Sequence, residues 1–207
     1  MNLKELKTEL LDVTLESYRL KLMAGTSGNA SVYDKETEAM IITPSSVSYE
    51  GMTIDDLVVM KLDGTILEGK HNPSSEWKMH AQVYLDRDDI SCVLHTHSPY
   101  ATGFAVCQES IPVILIEMVP FIGGDIPVAE FGMPGTAELG LEALKVMEER
   151  KGCLLANHGT LAIGNSINST YMTSVYIEDA AKIYHIAKNA GNVKVIDEKH
   201  IEAMRNS

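Results

Sequence analysis

Apolar side chains near the start of the chain recur at three- and four-residue steps, at Leu3, Leu6, Leu10 and Val13. This predicts an amphipathic helix running to about Met23, ended by Gly25. The period then changes. Ser31-Val32-Tyr33 and Ala39-Met40-Ile41-Ile42-Thr43 read as strands around a charged turn. Leu57 to Leu62 and Thr65-Ile66-Leu67 flank Asp63-Gly64, a hairpin signal, so the first third is expected to be antiparallel sheet. From Pro73 the pattern predicts a helix over Ser74 to about Tyr84, a strand to His97, a helix through Ala105 and a short strand from Val113 to Ile116. Gly123-Gly124 breaks the chain. A strand at Ile126 to Ala129, a helix from Thr136 to Glu149, a strand from Cys153 to His158 and a long helix from Ser166 to about Asn189 complete the reading. Strands and helices mix without strict βαβ alternation. The expectation is an α/β protein with a central mixed or antiparallel sheet and helices packed on it. No repeat or linker interrupts it, and the charged tail after Gly191 is left either loose or docked on a neighbouring subunit.

Composition narrows this picture. The 207 residues are 45% hydrophobic and 22% charged, enough for one core, and a single domain over 1–207 is expected. Seventeen basic against 29 acidic residues give a formal net charge of -12, which argues against nucleic acid or an anionic membrane surface as partner. The charged N-terminal stretch lacks an apolar signal region and no later run approaches a membrane span, so a cytoplasmic location is expected. Cys92, Cys107 and Cys153 form an odd set without Cys-x-x-Cys spacing; they are expected to be buried and to form neither disulfides nor a thiolate metal site. Any metal would then rely on imidazole and carboxylate.

Two short runs supply the imidazoles: Val93-Leu94-His95-Thr96-His97 and Leu154-Leu155-Ala156-Asn157-His158-Gly159. Residues two apart on a strand point the same way, so His95 and His97 can aim at one point while Thr96 faces away. Such a pair can equally be a hydrogen-bonded core pair or part of a solvent-facing edge. Buried strands that each end in histidine favour a site at strand ends, and three imidazoles with one open position form a catalytic Zn²⁺ arrangement.

Three small polar loops accompany them. Pro73-Ser74-Ser75-Glu76 opens a helix, where orphan N–H groups and hydroxyls can hold an anion, although a serine here can also be a plain cap. Glu76 and His80 stand one turn apart, a spacing usual on a solvated face. Gly28-Asn29, with Thr26 and Ser27, and Thr43-Pro44-Ser45-Ser46 are further cradles or turns. None of them contains Lys or Arg. Together they suggest an anion held by neutral donors beside a metal.

The succession of Gly25-Thr26-Ser27-Gly28-Asn29-Ala30-Ser31, Ile42-Thr43-Pro44-Ser45-Ser46, Glu68-Gly69-Lys70, Pro73-Ser74-Ser75-Glu76, His95-Thr96-His97-Ser98, Gly123-Gly124 and Asn157-His158-Gly159 resembles the class II aldolase/adducin family, from the first helix to about Asn189. The resemblance implies a three-layer α/β/α fold with a mainly antiparallel sheet, assembled as a homotetramer with active sites at subunit interfaces. It implies Zn²⁺ on His95, His97 and His158, and Glu76 as a fourth ligand that leaves to become the acid/base. Gly28, Asn29, Ser45, Ser46, Ser74 and Ser75 would bind a substrate phosphate. The implied reaction is cleavage of a ketose 1-phosphate, L-fuculose 1-phosphate or a related sugar phosphate, to dihydroxyacetone phosphate and an aldehyde.

One position departs from the pattern: Glu117 stands where the fuculose-phosphate-cleaving members carry a catalytic tyrosine. It reads either as a second acid/base with a tunable pKa or as a surface carboxylate. A glutamate there also resembles the methylthioribulose-1-phosphate dehydratases, which lack the Glu76 equivalent. Pentulose-phosphate 4-epimerases share the histidines but carry aspartate at position 76. An adducin-like interaction module would have lost the metal ligands that this chain keeps.

Overall fold

A computed structural model describes residues 2–206. The first helix, α1, is Leu3–Arg19, started by a reciprocal cap in which Asn2 Oδ1 accepts from Glu5 N at 2.9 Å and Glu5 Oε2 from Asn2 N at 3.0 Å. It ends before the expected Met23. Lys21 turns into the left-handed region with φ 62°, Leu22 N donates to Ser17 O, and Leu22 and Met23 drop into the core.

Among the described residues eight strands follow in one sheet: β1 Asn29–Asp34, β2 Ala39–Ile42, β3 Val58–Met60, β4 Ile66–Glu68, β5 Cys92–Thr96, β6 Val128–Ala129, β7 Gly152–Leu155 and β8 Gly159–Gly164, in the order β4-β3-β2-β1-β5-β8-β7-β6. All pairs are antiparallel except β6 with β7. The remaining helices are α2 Trp77–Asp86, α3 Pro99–Cys107, α4 Met118–Ile122, α5 Ala137–Met147, α6 Ile167–Ala190 and α7 Glu198–Arg205.

The alternation of strand side chains creates the layers. Ile41, Cys92, Leu94 and Ala162 point into one apolar cluster with residues of α1, α3, α4, α6 and α7. Their neighbours Met40, Ile42, Val93, Leu161 and Ile163 point into a second cluster with residues of α2 and α5. Both sheet faces are therefore dry, which is why these strands read as continuous apolar runs. The expected three-layer α/β/α architecture with a mainly antiparallel sheet is the observed one.

Several boundaries differ from expectation. Val113 to Ile116 is not a strand. Ile111 and Ile126 make an isolated bridge nearby, Val113 O accepts from Ile196 N, and Met118 N and Val119 N donate back to Leu115 O and Ile116 O in a turn that leads into α4. The strand expected to end at His158 stops at Leu155, because Ala156 to His158 form the turn of a hairpin whose second strand, β8, begins at the glycine taken for a terminator. Cys107 is exposed, whereas Cys92 and Cys153 are buried as expected. The tail is not loose: Ile201 is buried in the core and Arg205 Nη2 donates to Gly123 O at 2.9 Å. Among the described residues no helix is long and apolar enough to cross a membrane.

Candidate functional site

β5 lies at the centre of the sheet, and its pairing with β8 sets the first imidazole. His95 is opposite Leu161 and fully buried, and its Nδ1 lies 2.8 Å from Thr160 O. A carbonyl can only accept, so Nδ1 carries the proton and the Nε2 lone pair faces outward. His97, one residue beyond β5, is tied by its backbone N–H to Leu22 O. His158 comes from the β7–β8 turn, where Asn157 at φ 56° gives its N–H to Ala105 O and accepts from Gln108 Nε2 at 3.1 Å. The hairpin tip is thereby fixed to the end of α3. The three rings stand with centroids 4.7–5.0 Å apart, and their possible ligand atoms lie within 4.8 Å of one another.

Glu76 enters from the N-terminus of α2 and completes the group. Its Oε2 is 3.2 Å from His95 Nε2, and its Oε1 is 3.4 Å from His158 Nε2. The carboxylate is buried, as is His80, so the solvated-face pairing that their spacing also allowed does not form. Asn29 stands between them, its Nδ2 donating to Glu76 Oε2 at 2.9 Å while its Oδ1 meets His80 Nε2 at 2.5 Å. The reason is tertiary: β1 lies beneath this turn of α2, and Met79, Val83 and Tyr84 pack into the sheet from the same helix.

The donor set fits a divalent cation. Burial, and then the neighbouring His158 and His97, hold His95 well below the ordinary imidazole range; burial and His158 lower His97 in the same direction. Both imidazoles are thus neutral at pH 7. Glu76 Oε1 and His158 Nδ1 are buried without hydrogen-bond partners, and Nε2 of His95 and of His97 approach to 2.9 Å. Three imidazoles and an unsatisfied carboxylate oxygen converging this closely suit a shared positive charge. Imidazole and carboxylate suit Zn²⁺ among several divalent ions.

A pocket of about 340 Å³ opens over this cluster, lined by Thr26, Ser27, Gly28, Asn29, Pro44, Ser45, Ser46, Ser74, Ser75, Glu76, His97, Pro134, Gly135 and His158. All six residues expected to bind phosphate line it, and no Lys or Arg does. Two of its loops are clipped together by a bridge between Pro44 and Pro73, with Ser45 N donating to Asn72 O and Ser74 N to Thr43 O. Gly28 takes φ 84° and stands where a Cβ would come within 2.9 Å of His95 O, so the loop can rest against β5 only with glycine there. Tyr49 Oη anchors it by donating to Gly28 O at 2.7 Å.

Pro134 and Gly135 give the pocket a wall that the sequence reading did not find; they precede α5 in a loop without chemical groups to draw attention. The Asn29–His80 contact was also missed, since nothing in the spacing shows that a strand passes beneath α2. Glu117 is half-buried at the start of α4 and does not line the pocket.

Residues 8–185 match the family described as class II aldolase and adducin N-terminal domain. The chain is 36% identical over 181 residues to a 5-deoxy-D-ribulose 1-phosphate aldolase of Bacillus thuringiensis serovar kurstaki, covering 87% of this chain and 84% of that one. It is 32% identical over 197 residues to an L-ribulose-5-phosphate 4-epimerase of Salmonella paratyphi B, covering 90% and 86%. A solved L-fuculose 1-phosphate aldolase superposes with a TM-score of 0.93 at 39% identity, over 100% of this chain and 97% of that one. Sequence, fold and the buried histidine cluster agree: the chain belongs to the class II aldolase and adducin N-terminal domain family, as an enzyme of its aldolase side.

Proposed function

We propose that this protein is a Zn²⁺-dependent aldolase that cleaves a ketose 1-phosphate, L-fuculose 1-phosphate or a related sugar phosphate, to dihydroxyacetone phosphate and an aldehyde. The observation that carries the reading is the position of Glu76: one buried carboxylate touches the histidine cluster and lines a pocket walled by serine and threonine residues.

His95, His97 and His158 hold the cation, with Glu76 as the fourth group. When bound, the cation supplies Lewis acidity at the ketone oxygen, where negative charge collects as the C3–C4 bond breaks. Gly28, Asn29, Ser45, Ser46, Ser74 and Ser75 hold the phosphate with neutral donors, aided by the N-terminus of α2. This fixes C3 near Glu76. Cleavage is redox-neutral: the C4 hydroxyl loses its proton as the aldehyde forms, and C3 gains one. Glu76 exchanges the proton at C3, and its Oε1, which has no hydrogen-bond donor, leaves it free to swing away from His158. Glu117 exchanges the proton at the aldehyde oxygen. It does not line the pocket of its own chain, so this role requires a neighbouring subunit of a cytoplasmic homotetramer, for which Ile116, Phe131 and Met133 offer large exposed apolar surfaces.

Incubation of metal-loaded protein with L-fuculose 1-phosphate, 5-deoxyribulose 1-phosphate, methylthioribulose 1-phosphate and L-ribulose 5-phosphate tests this directly. Dihydroxyacetone phosphate is expected from one of the 1-phosphates, and Glu76→Gln is expected to abolish its release while keeping the metal. Inversion at C4 without cleavage, or a dehydrated product, would reject the aldolase reading.

A further inference from the structure

The carboxylate of Glu76 is the end of a longer polar chain in an otherwise dry part of the core. His80 Nδ1 meets Ser31 Oγ at 2.7 Å, and Ser31 Oγ in turn meets Tyr84 Oη at 2.7 Å. Ser31, His80 and Tyr84 are all buried. The direction of the bonds around His80 can be deduced. Glu76 Oε2 is kept as an acceptor by its contact with the Asn29 amide nitrogen, which leaves Asn29 Oδ1, an acceptor only, facing His80 Nε2. His80 must then donate from Nε2 and, being neutral in its buried position, accept at Nδ1 from Ser31 Oγ, while the single Tyr84 hydroxyl proton is shared between Ser31 Oγ and Ser31 O, the latter at 3.0 Å. Burial pushes the His80 imidazole down to about 3, consistent with a neutral ring at pH 7.

We infer that His80 is a positioning residue: its Nε2–H fixes the amide orientation of Asn29, and the oriented amide holds Glu76 against the histidine cluster at the start of each turnover. An Asn amide reads almost the same when flipped, and only its neighbours choose the face. With Oδ1 turned toward Glu76, two acceptors would oppose each other and the carboxylate would leave its position. The inference rests on Glu76 being the proton carrier proposed above.

Two substitutions separate the two ring nitrogens. In His80→Gln the amide reaches the place of Nε2 and can still donate to Asn29. In His80→Asn it reaches only the place of Nδ1, keeping Ser31 and abandoning Asn29. Both lose the ring, so a purely structural role would lower their activity alike. The expected result is a kcat for His80→Asn at least about tenfold below that of His80→Gln at saturating ketose phosphate, as for a misplaced catalytic group. Equal kcat in the two variants overturns the inference. Nitrogen-15 NMR of wild-type, zinc-loaded protein gives a readout that needs neither variant to fold: His80 is expected as the neutral Nε2–H tautomer, and an Nδ1–H tautomer overturns the inference outright. Glu76→Gln run alongside keeps the two claims distinct. Full cleavage by that variant removes the proton-carrier reading, while the tautomer still decides how Asn29 is held.

Discussion

Replacing Gly159 with alanine adds one methyl group at the seam between β5 and β8. An ideal Cβ there would sit 2.3 Å from Thr96 O, with His95 Cε1 at 3.2 Å and His97 Cδ2 at 3.3 Å. The first contact is with backbone in a central strand pair, so no side chain can rotate out of the way; the gap is about 1 Å short of ordinary contact. Forcing a methylene-sized group into a packed site costs about 1–3 kcal/mol, and for a domain of this length each kcal/mol lowers Tm by roughly 2–4 °C. A fall of about 5–10 °C is therefore expected in the metal-free protein. The site should suffer more than the fold, because ligand distances tolerate only about 0.2 Å and the strand that must shift carries His95. Metal content by plasma emission, expected near one per chain in wild type, should drop several-fold. Gly103→Ala is the control, since nothing lies within 4 Å of its Cβ position in the α3 helix, and there alanine should leave the site intact and raise stability slightly. Wild-type Tm and metal content in Gly159→Ala would refute the steric account.

His95→Ala and His158→Ala are each expected to lose most of the bound metal, measured as the ion retained after dialysis; full retention in both would remove the proposed site. Glu117→Gln should lower cleavage by about two orders of magnitude without changing metal content, the scale of general acid–base assistance. Unchanged kcat would make Glu117 an ordinary surface carboxylate. In native protein one thiol, Cys107, should react with an aromatic disulfide at pH 8, because burial pushes Cys92 and Cys153 up to about 12; three fast thiols would contradict this packing. His80 predicts an acid dependence of stability. Its folded pKa is depressed, so its contribution is fully present above the unfolded value of ~6.5 and is lost as pH falls toward about 3, at roughly 1.4 kcal/mol per pH unit. Urea titrations between pH 4 and 6 should show a slope smaller by one proton in His80→Gln.

Where one element decides its own conformation, the sequence was legible. The Leu6/Leu10 stripe of α1, the Asp63-Gly64 turn and the His95/His97 pair all follow from local periodicity. So does the rule that buried strands alternate between two apolar layers. What escaped depends on partners remote in sequence. Gly159 read as a terminator because its reason for being glycine, the carbonyl of Thr96, lies on another strand. Val113 to Ile116 has strand composition, yet its backbone is claimed by remote and following residues instead of a strand: Ile196 N donates to Val113 O, and Met118 N and Val119 N donate to Leu115 O and Ile116 O. Glu76 and His80 carry helical spacing that fits a wet surface equally well, until β1 is laid beneath them.

The bond from His95 to the carbonyl of Thr160 joins residues 65 apart along the chain. Closing a loop of that length is entropically unfavourable until the intervening α3, α4, β6, α5 and β7 begin to pack, so β5 and β8 pair late relative to the local hairpin of β7 and β8. The nascent polypeptide therefore has no preformed clamp for an ion, only scattered imidazoles with little affinity. Metal should accordingly act as a seal on the finished molecule: adding it during refolding should leave the folding rate nearly unchanged, yet slow unfolding in proportion to its occupancy of the native state.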